Sequence, residues 1–430
     1  MKKDMASTVI ELSEYQTVKL PHDTLPPALG ESLWRDYGKV LSVEFPSPKT
    51  DRCWALSTYG TVGYIPLATT LGLMITPRAE VDNLFHMLEV AYGLEVTYLQ
   101  ALYEVDTLHG FFNRLAYLLA GRVLERCRKG LYRAYVSRKE ALTYLRGSLD
   151  LQRQLQTPWQ THFNCNFQEQ TSDVEDNRIL TWTLFTIARN GLCTGDAERA
   201  VRKAYRTLQT ITALEPFDAK ACQERLYNRL NYDYRDLHLL CRFFLENCGP
   251  RHALGSAQML AFLVDMPRLF ELFVAEWLKQ HLPTHLTLTA QEHVEIDAEE
   301  NLSFTIDLVL YHAHSGETLC IIDTKYKSDL TPSTADISQV VAYAQAKRCQ
   351  DAVLIYPSGR RTPRRTVGDT RVHALTFALD GELNSAGEGF LAELLRSVPS
   401  LSLASTKERT APDATRSKTS KGSTYSAHNV

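Results

Sequence analysis

The stretch from Asn301 to Lys327, NLSFTIDLVLYHAHSGETLCIIDTKYK, constrains the fold more than any other part of this 430-residue chain. Two apolar, β-branched runs flank the turn-like segment His314-Ser315-Gly316, which is the pattern of a strand pair. Each run carries one carboxylate where another Val or Ile would continue the apolar pattern. The first is Asp307, between Ile306 and Leu308; the second is Asp323, after Ile321-Ile322, with Lys325 two residues on. Side chains alternate along a strand, so Asp323 and Lys325 project from one face, about 7 Å apart along the backbone. Pairing of the two strands would bring Asp307 beside them. Charges on strands that otherwise read as buried are costly unless paired or bound to a metal. Mg²⁺ is usually held by one or two carboxylates together with water and substrate phosphate.

An isolated D-x-K reads first as a buried ion pair or as solubilising charge on an edge strand. The flanking segments change that reading. Met266 to Lys279 (MPRLFELFVAEWLK) reads as a helix and offers Glu271 as a further acid. Asp336 to Lys347 (DISQVVAYAQAK) sets Gln339 and Tyr343 at an i, i+4 spacing, on one helix face. Another apolar strand, Asp351 to Tyr356 (DAVLIY), follows. The order helix, strand, strand with Asp, strand with D-x-K, helix with Q-x-x-x-Y, strand resembles the PD-(D/E)XK nuclease core. In that resemblance Asp307 takes the first Asp position and Asp323-Thr324-Lys325 the D-x-K. Ile306 stands where the motif has Pro.

The rest of the chain reads as α+β and multidomain. Short runs between Thr8 and Pro77, such as Thr61-Val-Gly-Tyr-Ile65, are separated by Pro, Gly and Asp turns and predict a small β-rich N-terminal docking domain over residues 1–77. From Val81 the apolar period becomes helical, with Leu84, Leu88, Ala91 and then Phe111, Leu115, Leu118. A helical middle region is therefore expected over residues 78–255. Within it, the basic run Arg122 to Arg138 reads as a solvated helix face before it reads as a phosphate contact. A polar, Gln-rich stretch from Leu151 to Gln170 interrupts the helices, and Asp176-Asn177 reads as the cap of the next one. Gly249-Pro250 stops the last. An α/β domain with a mixed sheet is expected over residues 256–400, followed by a tail (401–430) rich in Ser, Thr, Lys and Arg and expected to be disordered.

Bulk properties narrow the function classes. A net charge of −3 gives no global nucleic-acid signature, so a DNA enzyme of this composition must concentrate positive charge locally or borrow it from a partner. Nine cysteines without a C-x-x-C pair read as free thiols of a reducing cytosol. No apolar run is long enough to span a bilayer, so a soluble, cytoplasmic protein without membrane contact is expected.

Further segments carry a second resemblance: ELSEYQTVKLP, W-A-L-S…G-T-V-G-Y-I-P-L and I-T-P-R…NLFHMLEVA early, then YLRGSLD and FQEQTSDVEDNRIL, then L-V-D-M-P-R-L-F-E-L-F-V before the D…D-T-K pair. Together and in this order they resemble the McrC family, the nuclease subunit of the McrBC methylation-dependent restriction systems. The resemblance implies a partner, a hexameric AAA+ GTPase of the McrB type that reads modified cytosine in DNA. It also implies that this chain docks through its N-terminal domain, stimulates GTP hydrolysis and supplies the cutting site. Arg35, Arg52 and Arg78 are exposed-looking candidates for the stimulating residue. No G-x-x-x-x-G-K-[ST] loop occurs in the chain, which agrees with that division of labour.

The expected chemistry is Mg²⁺-dependent hydrolysis of DNA phosphodiesters. Asp307, Asp323 and the carbonyl of Thr324 would hold the metal, with Glu271 completing the shell directly or through water. Lys325 would orient or deprotonate the attacking water. Gln339 and Tyr343 would support the site from the following helix, although a helical Tyr is as readily a core aromatic. Two other readings stay open: an autonomous nuclease of the same superfamily acting in repair or transposition, and a non-catalytic regulator of the GTPase.

Overall fold

The computed structural model describes residues 8–68, 71–93, 108–156, 159–190, 193–223, 225–248, 261–297, 302–327, 331–359 and 364–401. The predicted tail and the Gly249-Pro250 stop lie outside these residues. The chain is a mixed α+β assembly with four sheets among the described residues.

The N-terminal part comprises β1 (Thr8–Ser13), β2 (Thr17–Leu20), α1 (Pro27–Tyr37), β3 (Leu41–Glu44), β4 (Trp54–Thr58), β5 (Thr61–Ala68) and β6 (Leu71–Thr76). Strands β2, β4 and β3 form one small antiparallel sheet; β1, β6 and β5 lie adjacent in a second. Alternation along these strands turns Ile10, Leu12, Leu56, Ile65, Leu73 and Ile75 into a common core with Trp54. Gly30 lets α1 lie directly on the Trp54 indole, since a Cβ there would sit 2.5 Å from the ring. Arg35, Arg52 and Arg78 are all exposed.

The middle part contains α2 (Val81–Tyr92), α3 (Leu108–Lys129), β7 (Ala134–Leu142), β8 (Ser148–Leu149), α4 (Leu151–Gln156), β9 (Phe163–Thr171), α5 (Glu175–Asn190), α6 (Gly195–Leu208) and α7 (Tyr234–Asn247). Its helices share a core in which Phe85, Phe111, Phe112, Phe243 and Phe244 interlock. Between the helices expected of this region, β7, β9 and β8 form an antiparallel sheet. The basic run 122–138 is accordingly split. Helix α3 ends at Gly130, whose positive φ of 96° leaves the helical region, and Tyr135-Val-Ser-Arg138 then alternates outward and inward as a strand does.

Asp176 and Asn177 also differ from the expected cap. They lie inside α5 and are buried. Asn177 Nδ2 donates to the carbonyls of Tyr132 (2.9 Å) and Ser172 (2.7 Å), and its Oδ1 accepts from Tyr234 (2.6 Å). Asp176 takes the Arg225 guanidinium at 2.8 Å. These residues stitch α5 to α7 and to the loop after α3, a role that only long-range contacts define.

The C-terminal part follows as β10 (Phe262–Asp265), α8 (Met266–His281), β11 (Leu286–Asp297), β12 (Leu302–His312), β13 (Thr318–Thr324), α9 (Thr334–Ala346), β14 (Asp351–Tyr356), β15 (Arg365–Val367), β16 (Thr370–Thr376) and α10 (Leu383–Ser397). Strand β10 pairs with β5 and so completes the N-terminal sheet in the order β1-β6-β5-β10. The six-stranded sheet runs β11-β12-β13-β14-β16-β15. It is mixed: β12 runs antiparallel to both β11 and β13, whereas β13, β14 and β16 are parallel. Helices α8 and α10 cover one face through Phe273, Trp277, Phe377 and Phe390. Helix α9 covers the other with Val340, Val341 and Ala344. With both faces covered, β14 reads as an uninterrupted buried run, DAVLIY.

Asp351, at the start of β14, has no exposed surface. Arg371 on β16 grips it with two hydrogen bonds of 2.7 and 2.6 Å, and His373 Nε2 lies 3.2 Å away. Burial alone would push this carboxyl up, but His373 and Arg371 hold it well below the usual carboxylate range. Asp351→Ala strands the partners of this ion pair, so we expect it to destabilise the chain by about 2–4 kcal/mol, measured as a lower urea midpoint with an unchanged m-value.

Candidate nuclease site

The site forms at the carboxyl ends of the parallel strands β13 and β14, the end at which open α/β sheets leave a crevice. Strand β12 brings the first acid. Its register with β13 pairs Leu308 with Ile322, and one further step sets Asp307 opposite Asp323. Directly opposed residues share a face of the sheet. Asp307 Oδ2 accepts from the backbone N–H of Thr324 at 3.0 Å and from its hydroxyl at 3.3 Å, which fixes this carboxylate against the D-x-K segment.

Asp323 is only 1% exposed. Its Oδ2 lies 2.6 Å from Lys325 Nζ, and apart from that ion-pair contact this buried oxygen meets no hydrogen-bond donor. Beyond the end of β13 the chain stays in line, with Lys325 N–H donating to the carbonyl of Ile355 on β14 (2.8 Å). Lys325 Nζ also donates to Gln339 Oε1 at 3.0 Å, and Gln339 Nε2 donates to Tyr343 OH at 2.8 Å. Helix α9 is set by a capping box in which Ser333 and Asp336 satisfy each other's backbone N–H groups. Asp336 is also tied to Lys327 at 2.6 Å. Tyr343 packs on Phe304 in the sheet–helix core, and its hydroxyl accepts the Gln339 bond.

Glu271 stands apart from this chain of contacts. It projects from α8, where Arg268 (2.8 Å) and the Gln291 amide hold its Oε1. The Asp307 charge nevertheless reaches it. Gln291 had no signal of its own in the sequence beyond interrupting a strand pattern. It falls opposite Asp307 in β11, between the paired Ala290 and Glu292. There it adopts a positive φ of 52°, an unfavourable conformation for a side chain of this kind.

Burial pushes the Asp323 carboxyl up to about 7, and the Asp307 charge adds to this while Lys325 opposes it. Burial and the Asp307 charge likewise raise Glu271, against the pull of Arg268. Burial works downward on Lys325, but Asp323 outweighs it and raises the ammonium pKa. Lys325 is therefore a fixed cation in this arrangement. Among the described residues no three His, Cys, Asp or Glu side chains gather closely enough to hold a metal ion by themselves. Two facing carboxylates suit Mg²⁺, which usually fills its other positions with water and phosphate oxygen, and Asp323 Oδ2, with the Lys325 ammonium beside it and no other donor among the described residues, is an oxygen such an ion could take.

Residues 56–357 match the family described as McrBC 5-methylcytosine restriction system component. The chain belongs to this family, in agreement with the McrC resemblance of its sequence segments. The Type IV methyl-directed restriction enzyme EcoKMcrBC of Escherichia coli (strain K12) is 22% identical over 263 residues, covering 59% of this chain and 75% of its own length. In fold, the chain is similar to one in the half-complex from the tetradecameric assembly of Thermococcus gammatolerans McrB AAA+ hexamers with bound McrC. The TM-score is 0.56 at 18% identity, with 91% of this chain and 100% of that one covered. Among the described residues of this McrBC-family chain, no helix is long and apolar enough to cross a membrane.

The raised Asp323 midpoint has a sign. Ionising this carboxyl opposes folding, an effect absent below its usual value of 3.8 and complete above about pH 7. In Lys325→Met the opposing cation is gone, so the Asp323 titration followed by ¹³C NMR is expected to move to still higher pH. An unchanged midpoint would mean that the ion pair does not set the charge state of the site.

Proposed function

We propose that this chain is the endonuclease subunit of a modification-dependent restriction complex. It would hydrolyse DNA phosphodiester bonds in a PD-(D/E)XK-type site and dock on a AAA+ GTPase of the McrB type. One observation carries the reading: Asp307, Asp323, Lys325 and Gln339, from two strands and the helix that follows them, meet at one sheet end in a chain of the McrBC family. A hexameric partner is supported by the McrB AAA+ hexamers with bound McrC named for the similar fold. Methylated cytosine is supported by the family description.

Asp307, Asp323 and the Thr324 carbonyl would hold Mg²⁺, which when bound supplies an acidified water and neutralises charge on the scissile phosphate. The protein's part is positional. The Thr324 N–H and hydroxyl keep Asp307 facing Asp323. Lys325, charged and braced between Asp323 and Gln339, presents its ammonium to the phosphate oxygens, where negative charge grows in the transition state. Tyr343 fixes the Gln339 amide, so the lysine has one preferred direction. Glu271, beside this group on α8, can add a further oxygen once Arg268 and Gln291 release it.

The test is cleavage of methylated and unmethylated plasmid by the chain with Mg²⁺, alone and with its GTPase partner and GTP. Cutting of methylated DNA only in the complete reaction is expected. Lys325→Ala should lower the rate by roughly a hundredfold or more while leaving stimulation of the GTPase intact. Cutting by the chain alone would point to an autonomous nuclease. No cutting by a chain that still accelerates the GTPase would point to a regulator.

A further inference from the structure

Tyr326, the residue after Lys325, is held almost entirely by the N-terminal part of the chain. Its hydroxyl donates to Glu14 Oε1 at 2.7 Å, and its backbone carbonyl accepts from the Tyr15 hydroxyl at 2.8 Å. Both ends of one residue are thus pinned from a segment more than three hundred positions away. Glu14 follows β1, and its backbone N–H is itself anchored on the carbonyl of Thr76 (3.0 Å). Its Oε1 takes a second bond from the Arg78 N–H at 2.7 Å, and the Arg78 guanidinium lies over the Tyr15 ring, 5.1 Å from its centroid. Tyr15 is fixed in turn, with its N–H on the Thr58 hydroxyl at 3.1 Å. From the other side Phe270, next to Glu271 on α8, packs against the Tyr326 ring at 5.9 Å.

Glu14 is a costly residue for simple packing. It has no exposed surface, and its Oε2 meets no donor. An unsatisfied buried carboxylate oxygen is a penalty that an apolar side chain would avoid. What the carboxylate does achieve is to fix the phenol of Tyr326, and with it the backbone that carries Lys325. A lysine side chain has four rotatable bonds and loses much freedom when held. Its direction at the site therefore depends on how firmly the backbone beneath it is seated.

We propose that Glu14 and Tyr15 are positioning residues that act through Tyr326 to hold Lys325 on Asp323 and Gln339. The clamp joins the N-terminal module, whose β1-β6-β5 sheet also receives β10 from just before α8, to the D-x-K segment. Its catalytic consequence rests on the nuclease reading above; the clamp itself does not.

Two measurements separate the two. The first is the rate at which acetic anhydride acetylates Lys325 in the full chain, read by mass spectrometry with Lys279 as internal reference. Tyr326→Phe keeps the ring and removes the hydroxyl, Glu14→Leu removes the acceptor, and Glu14→Gln restores an acceptor without charge. Lys325 should be acetylated several-fold faster in the first two variants and near the wild-type rate in Glu14→Gln, with Lys279 unchanged. The second is Mg²⁺-dependent cleavage in the complete GTP-fed reaction. There Tyr326→Phe and Glu14→Leu should lose roughly tenfold or more in kcat, with KM and GTPase stimulation near wild type. Unchanged Lys325 labelling in both variants overturns the clamp. So does faster labelling of Lys279 alongside a lowered Tm, since that is general loosening. Faster labelling of Lys325 alone, in a protein whose wild type cuts nothing, keeps the clamp and removes the nuclease reading.

Discussion

The burial of the Asp323 carboxylate at the end of a covered strand sets the terms for everything around it. Carrying charge there is unfavourable, and the neighbouring Asp307 makes it more so. The surrounding structure answers with Lys325 at 2.6 Å, with Gln339 bracing that lysine, and with Thr324 tying down the second carboxylate. None of these groups can be moved independently. The result is a site in which two facing carboxylates act on one braced ammonium.

The same logic explains why a sheet of this composition is mixed. The antiparallel pair β12–β13 sets the two acids opposite each other through a short turn, which a parallel crossover could not do so locally. The parallel step from β13 to β14 then carries the chain through α9, which returns Gln339 and Tyr343 to the same end. Local pairing builds the acids and the crossover helix builds their support. The far end of β14 meets its own buried charge differently: Asp351 has both oxygens engaged, by the Arg371 guanidinium and His373 Nε2, and so reads as structural. Two buried aspartates in one sheet thus have opposite characters, decided by whether their oxygens are all engaged.

Much of this was legible in the chain. The strand pair around Asp307 and Asp323, the helix carrying Gln339 and Tyr343 and the buried strand DAVLIY follow from apolar period, and the family follows from the order of short segments. What escaped were features without a local period. The sheet β7-β9-β8 draws β7 partly from the basic, tyrosine-bearing run and β9 from the polar, Gln-rich stretch, where polar side chains on both faces mask the alternation. Asp176 and Asn177 looked like a cap because their residue type suits one, yet they serve as a buried junction among α5, α7 and the loop after α3. Gln291 is engaged with Glu271 through an unusual backbone conformation that composition does not announce.

By itself, then, the sequence determined the element types around the site and the face on which each acid, Lys325, Gln339 and Tyr343 would lie, because strand alternation and helix spacing are local, and the order of short segments determined the membership of the family. Tertiary structure alone decided which of those residues touch. It drew Lys325 onto Asp323, left Glu271 occupied by Arg268 and Gln291, sent β10 into the N-terminal sheet and set Glu14 against Tyr326. Those outcomes depend on how the layers close on one another, and the burial that raises the Asp323 and Glu271 carboxyls exists only once they have done so.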